Sequence, residues 1–210
     1  MWKSGKEILT SLFVSALVLS NILGTKIIAI GKVAIPGGIL CYALTCLLAD
    51  VIGERYGREQ SKNTLVCGLI CQVVCSGLIA LTLALPSSDQ TVGNAFTTVL
   101  GSSWWFAAAS LAAYILSQTA DIAIFHGIRD KLVVKGVKHR WIWNKASTAV
   151  SQAIDTAVFI IVAFGFGLGF IFEPSTRLIL LQMMIWQYIV KVFLAAVDTP
   201  FFYILTKREG

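Results

Sequence analysis

The chain has 210 residues, of which 57% are apolar and only 13% are charged, and its formal net charge is +6. A water-soluble domain usually has about 45–50% apolar and about 25% charged residues. This composition, with a mean hydropathy of +0.79, excludes most soluble enzymes and disordered proteins. It favours a chain that is solvated by a lipid bilayer.

Six apolar runs follow one another along the chain and predict the fold class. A membrane-spanning helix needs about 20 mostly apolar residues. The six runs qualify or nearly do, although the second is short and the last is long: 8–30, 38–53, 64–85, 104–125, 147–172 and 176–206. We therefore predict an all-α, polytopic membrane protein, in which residues 1–210 form one domain built as a six-transmembrane-helix bundle.

The positions of Lys and Arg predict how this bundle is oriented. Thirteen of the 17 basic residues fall on one side of it, in residues 1–7, 54–63, 126–146 and 207–210. The other side receives only Lys32 and Arg177. Because cytoplasmic loops carry an excess of Lys and Arg, we predict that both termini are cytoplasmic. Anionic lipid next to the basic loops accounts for the positive charge, so no nucleic-acid partner is predicted.

Five ionisable residues lie deep inside the apolar runs, where each requires a physical reason, and a sixth, Lys26, can extend its long side chain to the outer surface. A charge at the centre of the bilayer costs at least about 2.5–3.5 kcal/mol on insertion scales. Helical rise places four aspartates in the cytoplasmic halves of their helices, and it places one lysine about 22 Å from Thr176, near the middle of the membrane. These residues are Asp50, Asp121, Asp155, Asp198 and Lys191.

A short polar pattern recurs in the fourth and fifth runs. Gln118 precedes Asp121 by three residues, and Gln152 precedes Asp155 by the same spacing. Residues at i and i+3 lie on one helix face, so each copy presents an amide and a carboxylate together. The last run has a comparable stripe, formed by Gln187, Lys191 and Asp198.

Two interpretations of these polar groups remain open from the residues alone. Hydrogen bonds between helices would explain them as structural contacts, but such bonds average only about 0.6 kcal/mol. The alternative is a polar, water-accessible cavity for a ligand. A carboxylate accepts two adjacent N–H donors, while an amide NH₂ or a lysine supplies a carbonyl acceptor. The spacing therefore predicts a planar polar solute, of which a guanine-like edge is one example.

Ordered motifs over most of the chain resemble those of the queuosine precursor transporter family, also called the vitamin uptake transporter family. The motifs are Ser20-Asn21-Ile22, Tyr42, Leu48-Ala49-Asp50, Glu54-Arg55-Tyr56-Gly57, Ala113-Tyr114, Gln118, Asp121, Phe125, Arg129, Trp143-Asn144, Ser147-Thr148, Asp155-Thr156, Tyr188 and Lys191. Ala43 stands where many members have a proline.

The resemblance implies import of 7-deazaguanine bases for salvage of the tRNA nucleoside queuosine. The bases are 7-cyano-7-deazaguanine, 7-aminomethyl-7-deazaguanine or queuine, and the membrane is the inner (plasma) membrane. The predicted substrate-binding residues are Asp155, Gln152, Asp121, Gln118, Lys191, Asn21, Tyr114, Tyr42, Trp186 and Gln187. Asp50 and Asp198 are predicted to act in coupling or gating.

Energy coupling and class of function leave alternatives. No Gly-rich loop ending in Gly-Lys-Ser/Thr is present, so no nucleotide cofactor is predicted. A secondary carrier, coupled to protons, is favoured over a substrate-binding subunit of an ATP-driven system and over a non-transporting structural protein. For the ATP-driven alternative, Ala16, Ser20 and Gly24 form a small-residue stripe that suits a partner helix. An enzyme is disfavoured because protease motifs are absent, and the five cysteines lack zinc-site spacing.

Overall fold

The computed structural model describes residues 5–31, 33–134 and 140–206, and almost all of them are helical. Seven α-helices, one π-helical segment and one two-stranded hairpin follow in chain order. They are α1 (Gly5–Gly24), β1 (Ile27–Ile30), β2 (Val33–Pro36), α2 (Ile39–Tyr56), α3 (Arg58–Ala84), α4 (Gln90–Leu100), α5 (Ser103–Val134), α6 (Arg140–Ile160), the π segment (Ile161–Phe166) and α7 (Pro174–Thr206).

The predicted membrane character is confirmed, and the six-helix count stays a prediction. Among the described residues, five stretches are long and apolar enough to cross a bilayer, and Gln90–Asp121 counts as one of them. The second predicted helix, α2, is not one of these five. It is short and carries Asp50, Glu54 and Arg55. The chain is therefore a polytopic membrane protein, whereas the cytoplasmic placement of both termini is untested.

The first predicted helix is wrong at its C-terminal end. The apolar run to residue 30 was expected to continue as helix, but α1 ends at Gly24, where the Thr25 hydroxyl donates to the Ile22 carbonyl oxygen at 2.8 Å. The chain then forms an antiparallel hairpin in which Ile27 pairs with Pro36 and Ile30 pairs with Val33. Gly31 has φ +61°, a value that suits a two-residue hairpin turn and costs glycine nothing.

Close backbone contact fixes the start of α2 against the end of α1. A Cβ on Gly38 would overlap the Ser20 carbonyl oxygen, and one on Gly37 would lie 2.7 Å from the Leu23 oxygen. Gly68 of α3 lies against side chains of α1, since a Cβ there would lie 2.8 Å from the Cδ2 atom of Leu17. Small residues at helix contacts let backbones approach closely in membranes, so these glycines determine how α1 packs.

The remaining helices differ from the predicted ranges mainly at their ends. The third begins at residue 58 instead of 64, and the fourth, α5, runs from Ser103 to Val134 instead of 104–125. Helix α4 was not predicted. Its first turn is capped by Asp89, whose carboxylate accepts from the Thr91 backbone N–H at 2.8 Å. The fifth predicted helix, 147–172, is α6 followed by a π turn in which the Gly167 N–H donates to the Val162 oxygen at 3.0 Å.

The described residues group into two compact units, and the single membrane domain stays a prediction. Unit 1 comprises the described residues up to Ala107 together with those from Ile185 onward. Unit 2 runs from Ala108 to Met184. Unit 1 has a buried core formed by Phe13, Leu48 and Ile52, and the core of unit 2 includes Ile160, Phe164 and Met183.

Candidate functional site

Helix α7 buries a polar stripe in unit 1. Gln187 and Lys191 are one helical turn apart, so they lie on the same face, and each is only 6% exposed. Ile185, Ile189 and Val192 of the same helix are exposed. The apolar side chains therefore cover the outer face of this segment and the amide and the ammonium lie inside, which is the reverse of a water-soluble helix.

The buried lysine contacts an aromatic ring of α2. The Nζ atom of Lys191 lies 4.2 Å from the centroid of the Tyr42 ring. A cation–π contact of this kind contributes about 0.5–1 kcal/mol when exposed and about 2 kcal/mol when desolvated. It therefore offsets part of the cost of placing an ammonium group in the membrane.

The ring is held in place by the contact between α1 and α2. Tyr42 follows Gly38 by one turn, and its backbone N–H donates to the Gly38 oxygen at 2.9 Å. Asn21 is next to Ser20, the residue that Gly38 touches, and it is 2% exposed. The structure thus brings Tyr42 and Lys191 together, and it buries Asn21 beside the same pair of helices.

One atom of the α7 stripe has no hydrogen-bond partner among the described residues. The Oε1 atom of Gln187 is buried and accepts no hydrogen bond. Leaving a buried acceptor unsatisfied costs about 1–3 kcal/mol. A polar ligand with an N–H group next to a carbonyl oxygen would satisfy the Gln187 Oε1 atom and could accept a hydrogen bond from Lys191.

The predicted residues of the fourth run are in unit 2, and their exposure differs. Tyr114 and Asp121 are half-buried, whereas Gln118 is exposed. The first Gln–Asp pair was expected to enter the interior together, but only Asp121 does so in part. Its Oδ1 atom is buried and has no hydrogen-bond partner in the described part of the chain.

The second Gln–Asp pair, in α6, is more uniform. Gln152 and Asp155 are both half-buried, and each has an interaction partner. Ser151 is buried beside them, and the Thr156 hydroxyl donates to the backbone carbonyl oxygen of Gln152 at 2.9 Å. The predicted convergence of these groups with the α7 stripe on one cavity stays a prediction.

Three further predicted residues have weaker structural support. Trp186 is half-buried next to Gln187, and Asp50 is exposed near the C-terminal end of α2. The side chain of Asp198 lies outside the described residues. Sequence reasoning also missed two buried polar side chains of unit 1, Gln72 and Ser103. A signal for the first was present, because Gln72 and Ser76 are one turn apart within an apolar run.

Long apolar helices that bury a lysine and amides are typical of multi-pass membrane proteins that handle polar solutes. A family model described as "Putative vitamin uptake transporter" matches residues 36–205 of the chain. The protein therefore belongs to the vitamin uptake transporter family and is a membrane transporter. This confirms the family to which the sequence motifs pointed.

A curated relative supports the same family. The chain is 28% identical over 199 residues to a protein of Bacillus subtilis (strain 168) named "Probable queuosine precursor transporter". The match covers 91% of this chain and 80% of the relative. No solved structure matches the chain significantly.

Proposed function

We propose that the protein imports queuosine precursors, 7-deazaguanine bases, across the inner (plasma) membrane for tRNA queuosine salvage. The name of the Bacillus subtilis relative supports this substrate class. Membership of a transporter family also favours transport over a non-transporting structural role. The preference among the cyano base, the aminomethyl base and queuine is left to experiment.

The buried α7 stripe is the observation that carries this proposal. A 7-deazaguanine has a ring carbonyl oxygen next to a ring N–H group. In the proposed complex the Lys191 ammonium donates to that carbonyl oxygen, and the Gln187 Oε1 atom accepts from the ring N–H. Charge-assisted hydrogen bonds are stronger than neutral ones, so Lys191 contributes more to affinity. Gln187 contributes selectivity, because its Oε1 atom accepts only from a ligand that has a donor at this position. Tyr42 holds the ammonium from its other side.

The carboxylates of unit 2 have a second proposed role. A carboxylate can accept from the exocyclic amine of a guanine-like base, next to the ring N–H that donates to Gln187. Asp155 is the first candidate because it is half-buried beside Gln152. Asp121 is the second, since its buried Oδ1 atom has no hydrogen-bond partner in the described part of the chain. Gln118, Tyr114, Asn21 and Trp186 stay secondary candidates.

The proposed transport mechanism is a secondary carrier. The small-residue stripe of α1 would have supported an ATPase partner, but it packs inside unit 1. Ala16 is 6% exposed, a Cβ on Gly24 would lie 3.2 Å from Phe106, and Gly38 approaches Ser20. This packing favours the carrier over a subunit that recruits a partner helix through the stripe. Protons are the proposed coupling ion, with Asp50 and Asp198 as candidate carriers.

Reconstitution tests the proposal directly. Purified protein in sealed liposomes should accumulate 7-cyano-7-deazaguanine without any ATPase, and an imposed pH gradient should accelerate the initial rate. Asp155→Asn should abolish accumulation while the protein still inserts and folds. If uptake needs an added ATPase, the ATP-driven alternative is correct. Absence of uptake for all three bases would contradict the proposed substrate class.

A cellular test complements the reconstitution. A strain that cannot make queuosine precursors should regain modified tRNA at low external precursor when this chain is expressed. Empty vector and Asp155→Asn serve as the two controls. Normal modification with Asp155→Asn would remove that residue from the proposed site.

A further inference from the structure

A cavity of about 220 Å³ lies in unit 1, and no residue of α7 is among its lining residues. The second half of α3 forms one side of it, and the junction of α4 and α5 forms the other. It is larger than a ~150 Å³ engineered cavity that binds benzene. The lining residues are Ser76, Ile79, Ala80, Leu83, Leu100, Gly101, Ser103 and Trp104.

Ser103 at this cavity, and Gln72 next to the lining residue Ser76, are buried with incomplete hydrogen bonding. Ser103 lines the cavity, is 2% exposed, and its hydroxyl has no partner among the described residues. Gln72 is 5% exposed and donates from Nε2 to the Ser76 oxygen at 3.3 Å, while its Oε1 atom is unsatisfied. Buried polar groups in a membrane protein are normally satisfied, because the hydrocarbon provides no water. The unpartnered Ser103 hydroxyl therefore favours a hydrogen-bonding ligand in the cavity.

The lining defines the chemistry of that ligand. No charged residue is among the lining residues, so a phosphate or an ammonium group would be desolvated without a counter-charge. The hydroxyls of Ser76 and Ser103 can each donate a hydrogen bond. Ile79, Leu83 and Leu100 form apolar walls. The cavity suits a neutral group that has carbonyl acceptors and continues into hydrocarbon.

The position of the cavity along the membrane is consistent with the same ligand. Leu83 is one residue from the end of α3, and Ser76 is about 10.5 Å further in at 1.5 Å per residue. Trp104, at the start of α5, is 47% exposed, and indoles are enriched where hydrocarbon meets the polar interface. The glycerol and ester groups of bilayer lipids lie at this level.

We propose that this cavity binds the glycerol-ester region of a membrane phospholipid, with an ester carbonyl oxygen accepting from the Ser103 hydroxyl. The Ser76 hydroxyl donates to a second ester oxygen, and the acyl chains leave along Leu83 and Leu100. The site is separate from the proposed substrate site, and it does not depend on which base is transported.

Native mass spectrometry with two synthetic lipids tests the proposal. The probes are dioleoyl phosphatidylcholine and its diether analogue, which has the same headgroup and chains but lacks the carbonyl oxygens. We expect the full-length protein to bind one diester lipid at least about fivefold more tightly, since one net hydrogen bond is equivalent to about that factor. Ser103→Ala should lower this preference severalfold, because only the Ser76 hydrogen bond is left, and Ser102→Ala should retain it.

A second pair of variants tests the volume of the cavity. Ala80→Trp places an indole at the lining, whereas Ala84→Trp changes the same helix one turn beyond it. The first should lower diester occupancy severalfold and the second should leave it unchanged. Equal affinity for the two lipids, or no bound lipid, would overturn the proposal and leave a water-filled cavity. If Ala80→Trp does not fold, the Ser103→Ala comparison decides.

Discussion

Replacing Gln187 by leucine should separate substrate affinity from protein stability. The wild-type side chain buries an oxygen that accepts no hydrogen bond within the described chain. Leucine of similar size removes that penalty of about 1–3 kcal/mol, so the empty transporter should be as stable or more stable. In the complex between the variant and its substrate, the ring N–H of the base has no acceptor, and this costs a similar free energy. KM should therefore rise about 5- to 150-fold, at 1.4 kcal/mol per factor of ten.

Two measurements on one preparation check this prediction. Initial uptake of 7-cyano-7-deazaguanine into proteoliposomes gives KM, and thermal unfolding of the same protein gives the stability change. Gln182→Leu, the same change on the same helix outside the stripe, is the matched control and should keep KM. A Gln187→Leu protein with wild-type KM would refute the assigned acceptor role. A Gln187→Leu protein that is clearly less stable than wild type would show that the oxygen has a hydrogen-bond donor in the empty protein.

Two further predictions concern the support of the site. Tyr42→Phe keeps a ring face for Lys191 and should retain uptake within about threefold. Tyr42→Leu loses a contact of about 0.5–2 kcal/mol and should lower substrate affinity by about 2- to 30-fold. Uptake into proteoliposomes distinguishes the two variants. Gly38→Ala forces a methyl group into the Ser20 carbonyl and should destabilise the fold by at least about 1–3 kcal/mol. Gly77→Ala, which meets nothing within 4 Å, should stabilise α3 by about 0.5–1 kcal/mol, and thermal unfolding reports both.

The helices that could be predicted are those whose apolar length is set by the bilayer. The hairpin could not be distinguished from the end of the first run, because Ile27–Ile30 and Val33–Pro36 are as apolar as the helix before them. Only the glycine between the strands, with its positive φ, marked the turn. Helix α4 was missed because its 11 residues are too few to span a membrane.

The candidate site was predictable where local spacing decides burial. Gln187 and Lys191 share a face by their spacing, and the cost of exposing them to lipid turns that face inward. The Tyr42 ring is 149 positions away in the chain, so its contact with Lys191 depends on tertiary packing that no local pattern contains. Spacing also placed Gln118 and Asp121 on one side of α5. It could not predict that Gln118 would be exposed and Asp121 half-buried.

Within unit 1, Gly38 and Gln187 should affect stability and uptake in different ways. The ring depends on the backbone contact between α1 and α2, where Gly38 leaves no room for a side chain. A change at Gly38 therefore moves Tyr42 away from Lys191 and lowers stability and uptake together. The amide oxygen of Gln187 adds no hydrogen bond to the empty fold, because no described residue donates to it. A change there should lower uptake alone, so the two variants distinguish a binding group from a packing residue within one site.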